Sequence, residues 1–436
     1  MRGNARAWVT VVLLGLLYIV SFIDRTILAL LVQPLKADLA LNDVQLGLLF
    51  GTVFALFYAL ASLPIARIAD RTNRKRLIMV GVLFWSVCTA ASGFARNFSE
   101  LAVLRLGLAI GEATLTPAAY SLITDQFSRR TGMRAATLFS TSGMLGSASA
   151  YLAGGALINL LEGHVAVGAH PQWAVWRLVF VLLGCPGILL TILLGIVARE
   201  PPRGADCGTV DAHAGYLHVV RHIKVRASLY GGLFLGAGLG QTCCNAVLAW
   251  GPTYLQRTYG YSVPASGYGF GVAQAFGAVA GTLVVPTLID VLMCRRYYSM
   301  AALVPMFGAV AGSLLIAAAP FCRSPVYFLC AYALGAFLLI GASNSIIIIL
   351  QQIVPPAFRA TMTALSLICI SSIGFGAGPP IVAVIARAAS GATSPLAWGI
   401  SIVAAASVVG ALSLLWLAAR PLRAALQGTE LTATNA

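Results

Sequence analysis

Charge is what this chain has least of. Only 9% of its 436 residues are Asp, Glu, Lys or Arg, against about 25% in a soluble globular protein. With 59% hydrophobic residues, the apolar surface exceeds what a soluble core hides, so the chain reads as a polytopic membrane protein. Histidine is also scarce, and the five (164, 170, 213, 218, 222) fall outside the apolar segments. There is no His-Glu-x-x-His, which removes that pattern of metal-dependent hydrolysis. There is no Gly-x4-Gly-Lys-Ser/Thr, so an ATP-driven pump would lack its phosphate loop. The nine cysteines are scattered, mostly within apolar segments, with Cys243 beside Cys244. They show neither a disulfide framework nor a metal spacing and read as packing residues. No enzyme, cofactor or metal centre is expected.

What is present is a succession of apolar segments with polar punctuation. Twelve spans are expected, at 8–34, 44–69, 77–95, 100–123, 134–160, 174–198, 227–255, 265–289, 298–319, 325–350, 360–386 and 395–418. A helical span takes about 20 residues. The basic start, Met1 to Arg6, would suit a signal peptide. The run that follows is too long, holds two charges and lacks a small-residue cleavage site, so it reads as a retained first span.

The formal net charge is +15, which in a soluble protein would suggest nucleic acid. Topology explains it better, and no nucleic-acid partner is expected. With the N-terminus inside, 20 of the 28 Lys and Arg fall in loops on one side and six on the other, with Arg25 and Arg105 inside spans. That bias places both termini in the cytoplasm of a cell (inner) membrane. The longest internal loop, 199–226, divides an N-terminal six-helix bundle (1–198) from a C-terminal one with a short tail (227–436). His218 and His222 could share a helix face and bind a metal there, but a solvated linker is the simpler reading. The halves echo each other. Asp70 to Arg76 after span 2 matches Asp290 to Arg296 after span 8, and Arg134-Ala-Ala-Thr matches Arg359-Ala-Thr, at offsets of 220 and 225 residues. A duplicated six-span unit follows.

The costliest feature is Asp24-Arg25 inside span 1. A charge at membrane depth costs at least ~2.5–3.5 kcal/mol and survives mainly where it faces protein or a water-filled cavity. Such residues mark pathways by default; a packing ion pair is the alternative. Asp24 lies about 24 Å along the helix from Trp8, roughly 6 Å from the far side of a ~30 Å core. Span 4 runs the other way, which brings Arg105 to the same depth and Glu112 about 10 Å deeper. Asp24 can therefore meet Arg105 while Arg25 reaches Glu112. A carboxylate that loses its Arg partner in low dielectric can bind a proton. Proton coupling is accordingly assigned to Asp24 and Glu112, and an anionic ligand group to Arg25 and Arg105.

Ala66-Arg-Ile-Ala-Asp70-Arg71-Thr-Asn-Arg74-Lys75-Arg76 resembles the loop 2–3 signature of the major facilitator superfamily, with Ala66 in place of the usual Gly. Within it the chain is similar to the spinster family, through Asp24-Arg25, through Arg105-Leu-Gly-Leu-Ala-Ile-Gly-Glu112-Ala and Asp125 in span 4, and through Ile353-Val-Pro-Pro-Ala-Phe-Arg359 before span 11. The resemblance implies an all-α membrane protein with twelve transmembrane helices in two six-helix halves around a central cavity. It implies a latch on the inner side made by Asp70, Arg71, Arg74, Lys75, Arg76 and Arg134; a topology signal alone is the other reading. It puts spans 1, 4, 7 and 10 at the cavity, which offers Gln241, Asn245 and Asn344 to a ligand, with Ser343, Ser345, Tyr254 and Gln274 as further candidates. Interhelical hydrogen bonding would suit these side chains equally. Gly143 to Gly155 reads as a small-residue packing seam. The expected activity is proton-coupled alternating-access transport, by a monomer, of a lysophospholipid or sphingosine-phosphate-like amphiphile. Small organic anions are the alternative cargo, and a non-transporting lipid receptor is the alternative class.

Overall fold

A computed structural model describes residues 2–165, 174–201, 223–295, 297–354 and 359–433. Among these every regular element is helical. Span 1 is not one helix. α1 (Arg2–Thr26) passes through a 3-10 turn (Ile27–Ala29) into α2 (Val32–Leu39). The N–H groups of Leu30 and Leu31 bond back three residues, to Ile27 and Leu28, at 3.0 Å each. That tightening interrupts the α ladder and frees carbonyls in the last turn of α1.

Span 2 is divided at Gly51 into α3 (Asp43–Phe50) and α4 (Thr52–Arg71). Asn42 starts α3 with a capping box to Gln45, and Asn73 caps α5 (Arg74–Ser92) by accepting from the Arg76 N–H. Each satisfies donors that a helix start leaves open. Span 4 is likewise two helices, α6 (Phe98–Glu112) and α7 (Leu115–Gln126). The rest run as α8 (Arg129–Val165), α9 (Val175–Val197), α10 (Ala227–Tyr259), α11 (Val263–Cys294), α12 (Tyr298–Ala318), α13 (Pro325–Ile353), α14 (Arg359–Ala388) and α15 (Pro395–Ala433).

Among the described residues eleven helical stretches are long and apolar enough to cross a bilayer. The span expected at 360–386 falls on α14, whose Ile373–Ala388 part is apolar but shorter. Large apolar side chains stand on the outside, including Ile196 (76% exposed) and Phe307 (70%). In water so much exposed apolar surface would drive aggregation, whereas in a bilayer it is solvated.

The chain clusters into two compact units, Met1–Ala205 with Gly251–Ala275, and Asp206–Trp250 with Phe276–Ala436. In the first, α1 lies along α8, and Leu14, Leu17, Trp85, Leu108 and Phe139 share a buried cluster. A Cβ added at Gly146 would lie 2.7 Å from the Phe22 Cβ and 3.1 Å from the Ile19 Cα. The expected seam of span 5 is therefore a close approach of α8 to α1, as small residues permit in lipid. In the second unit α12 packs on α13 and α15, and α14 on α15. The Trp250 indole donates to the Pro379 carbonyl at 2.9 Å, tying α10 to α14. Most of the expected linker, 202–222 with its three histidines, lies outside the described residues.

Candidate functional site

Two of the three breaks in the first unit fall at charges. Asp24 and Arg25 occupy the last turn of α1, and Glu112 closes α6. Arg25 donates through Nη2 to Glu112 Oε2 at 2.5 Å. Ser21, one turn earlier on the same face, donates to that oxygen at 2.8 Å. The Glu112 side chain is 0% exposed and that of Arg25 12%. The guanidinium carbon of Arg25 stands 4.9 Å from the centre of the Phe22 ring, 4.3 Å from Phe54 and 5.2 Å from Tyr58.

Arg105 is buried at the level of Asp24 but does not pair with its carboxylate. Its Nη1 donates to the Asp24 carbonyl at 2.9 Å. The reason is local: the 3-10 turn releases that carbonyl from the helix ladder, and a guanidinium reaches it more directly than the side-chain oxygens. Neither carboxylate oxygen of Asp24 has a hydrogen-bond partner, nor do Glu112 Oε1 and Arg105 Nε. Buried polar atoms left in this way are uncommon and call for an explanation. Two acids and two bases thus share one buried site, with no net charge when all are ionised.

A second cluster lies around Arg74, which is 1% exposed. It pairs with Asp125 through Nη1 and with Glu200 through Nε at 2.7 Å. It also donates to Ser121 Oγ at 3.0 Å and to the Pro201 carbonyl at 3.2 Å. The Lys75 backbone N–H donates to Glu200 Oε2 at 2.9 Å, and its Nζ to the Gly195 carbonyl at 2.6 Å. Arg71, Arg76 and Arg134 are exposed, and the Asp70 side chain lies outside what is described. Glu200 and the pairing of Asp125 escaped the sequence reading. The available signal was that Glu200 is the only acid where span 6 ends, beside Pro201-Pro202.

In the second unit Gln241 and Asn245 lie one turn apart on α10, against Gly374 of α14. A Cβ there would meet Gln241 Cβ at 2.9 Å and Asn245 Nδ2 at 3.1 Å. Asn245 is 3% exposed, and its Nδ2 has no hydrogen-bond partner. Asn344 is engaged between helices, donating to Thr282 Oγ1 at 3.0 Å. Ser345 bonds its own helix at Gly341, and Gln274, in the first unit, donates to Ser147 at 3.3 Å. Tyr254 is buried. Among the described residues no three His, Cys, Asp or Glu side chains are grouped to hold a metal.

Comparison with known proteins follows the same lines. The family model of the Major Facilitator Superfamily matches residues 14–379. A bacterial homologue of the human lysosomal transporter spinster, solved in an inward-facing and unoccupied conformation, superposes with a TM-score of 0.82 at 29% identity, over 98% of both chains. An MFS-type efflux pump of Mycolicibacterium smegmatis is 27% identical over 96% of this chain and 94% of its own. A probable L-galactonate transporter of Escherichia coli is 26% identical over 63% of this chain and 60% of its own.

Proposed function

Since the chain belongs to the major facilitator superfamily and is spinster-like, a membrane transporter and not an enzyme, we propose that it moves an amphiphilic anionic or zwitterionic lipid by proton-coupled alternating access. The cargo is of the lysophospholipid or sphingosine-phosphate type. The observation that carries this reading is the buried contact of Arg25 with Glu112 at 2.5 Å, beside the unpartnered Asp24 carboxylate. While Glu112 is ionised it holds Arg25. A proton on Glu112 cancels the charge that binds the guanidinium, and a phosphate or carboxylate of the ligand can replace it. Release of the ligand lets Glu112 give up the proton and recover Arg25. Asp24 and Arg105 supply a second acid and base at the same place.

Gln241 and Asn245 would contact the ligand. Asn344 would do so only by giving up Thr282. Arg74, with Arg71, Lys75, Arg76, Arg134 and Asp70, would act as the latch, since Arg74 ties the start of α5 to Asp125 and Glu200. The orientation has both termini in the cytoplasm, and the working unit is a monomer.

Proteoliposomes test the proposal. Asp24→Asn and Glu112→Gln should each abolish uptake driven by a pH gradient, while Glu112→Gln retains ligand counterflow. If both variants keep pH-driven transport, the proton assignment fails. Absence of counterflow in the native chain would instead indicate a receptor. A second reading, a carrier of small organic anions, is favoured by the similarity to the probable L-galactonate transporter. It expects binding indifferent to the length of a hydrocarbon tail, whereas the lipid reading expects affinity to rise with it.

A further inference from the structure

The rings around Arg25 are arranged around its charge rather than merely near it. Phe22 comes from α1, one turn before the arginine, but Phe54 and Tyr58 come from α4, four residues apart and hence on one face. Phe54 is 3% exposed, and the two α4 rings stack on each other at 5.6 Å and 22°. The guanidinium carbon stands over all three faces at 4.3–5.2 Å. A cation over an aromatic face is attracted by the ring quadrupole, most strongly where water is excluded. The Glu112 carboxylate and this aromatic seat are independent holds on Arg25, and the first disappears when Glu112 takes a proton while the second does not.

We propose that Phe54 and Tyr58 are positioning residues for Arg25. Their faces keep the guanidinium at the site when Glu112 no longer binds it, so that it is presented to the anionic group of the ligand instead of swinging away. This rests on the ligand and proton roles given above to Arg25 and Glu112. It also places α4, whose other end leads into the Asp70–Arg76 loop, in direct contact with the cation at the site. The groups that share the site are Asp24, Tyr18 and Ser21 of α1, Tyr58 of α4, Thr89 of α5, and Arg105 and Glu112 of α6. α8 adds Phe139, stacked on Tyr18 at 4.8 Å, α7 adds Tyr120, edge-on to Phe139 at 5.2 Å, and α9 adds Phe180, 5.7 Å from the Arg105 guanidinium. Arg105 also acts on Glu112, but its guanidinium is held by the Asp24 carbonyl and stands over Phe180, so a weaker Phe54–Tyr58 seat acts on proton uptake through Arg25.

The test replaces Phe54 with phenylalanines carrying one, two and three ring fluorines, which drain the face of negative potential while hardly changing the shape. A looser guanidinium weakens the positive charge beside Glu112, so protonation competes at higher pH. The pH at half-maximal uptake should climb stepwise with fluorination, by about half a pH unit at three fluorines. Phe54→Leu should shift it as far, and Phe54→Tyr, which keeps the face, should restore the native value. Infrared titration of the Glu112 carbonyl band, identified by its loss in Glu112→Gln, should follow the same order and does not depend on transport. Midpoints and band titration that ignore fluorine number overturn the aromatic seat even if transport proceeds normally. A native chain without pH-driven transport would instead refute the functional reading, while the infrared series would still decide the seat.

Discussion

Arg74 is buried like a core residue while carrying a full charge, and it persists because four partners surround it. Two of them, Asp125 and Glu200, are acids whose side chains are 20% and 22% exposed. Arg74→Ala would leave two neighbouring carboxylates with no shared cation. Removing one partner of a fully buried pair costs about 3–5 kcal/mol, and solvent at the two acids lowers this to roughly 1–3 kcal/mol. A lower unfolding temperature in detergent is the expected outcome. Arg74→Lys should recover only part of it, because one ammonium cannot reach both acids and the Pro201 carbonyl with a fixed fork. The same geometry makes Arg25→Lys non-conservative. A folded variant is expected, with affinity for an anionic ligand reduced about tenfold in binding assays, since both the planar fork that can donate to an anion at two points and its flat face over the rings are lost.

At the level of elements, the packing of α8 on α1 sets how closely the site's backbone can be held. Gly146→Ala should destabilise by about 1–3 kcal/mol, the usual cost of overpacking, because its Cβ meets backbone and a Cβ rather than a flexible tip. Gly163→Ala in the same helix meets nothing within 4 Å and should be neutral or slightly stabilising. Thermal melts of the pair would distinguish a packing seam from general glycine content. Elements are also where the sequence was partly illegible. The reach of Arg25 to Glu112 followed from helix rise alone, since depth is a one-dimensional property of a span. The break after Thr26 did not follow, because no proline or glycine adjoins it, whereas the one after Glu112 had an unused signal in Gly111 and in Pro117, whose ring opposes the carbonyl of Ala113 four residues back. Nor did the aromatic seat, as Phe54 and Tyr58 belong to another helix and no local pattern states which face of α4 meets α1. The unexpected Arg105 contact with a backbone carbonyl is a consequence of the first break.

For the whole molecule, topology can be read with native thiols. Cys294 is exposed and Cys322 half-buried; Cys294 closes α11 just before α12, and Cys322 follows the short turn after α12. An impermeant maleimide applied to intact cells should label Cys322 and spare Cys294, and inverted vesicles should reverse the result. Labelling of Cys294 and not Cys322 in intact cells would overturn the two-termini-inside arrangement. The many-span helical plan was legible at this scale because bilayer thickness imposes span length, whereas the partners of Gln241 and Asn245 depend on helix contacts that no hydropathy profile contains. The chain has 28 basic residues and 13 acidic ones, and five of the acids already hold cations: Asp38, Asp43, Glu112, Asp125 and Glu200. Asp43 holds two at once, Lys36 at 2.8 Å and Arg257 at 2.7 Å. Anionic side chains are therefore the scarcer partner across the chain. In a saturation-mutagenesis map, tolerance should be lopsided: neutralising an acid should fail far more often than neutralising a lysine or arginine, and those failures should be rescued by deleting a nearby cation.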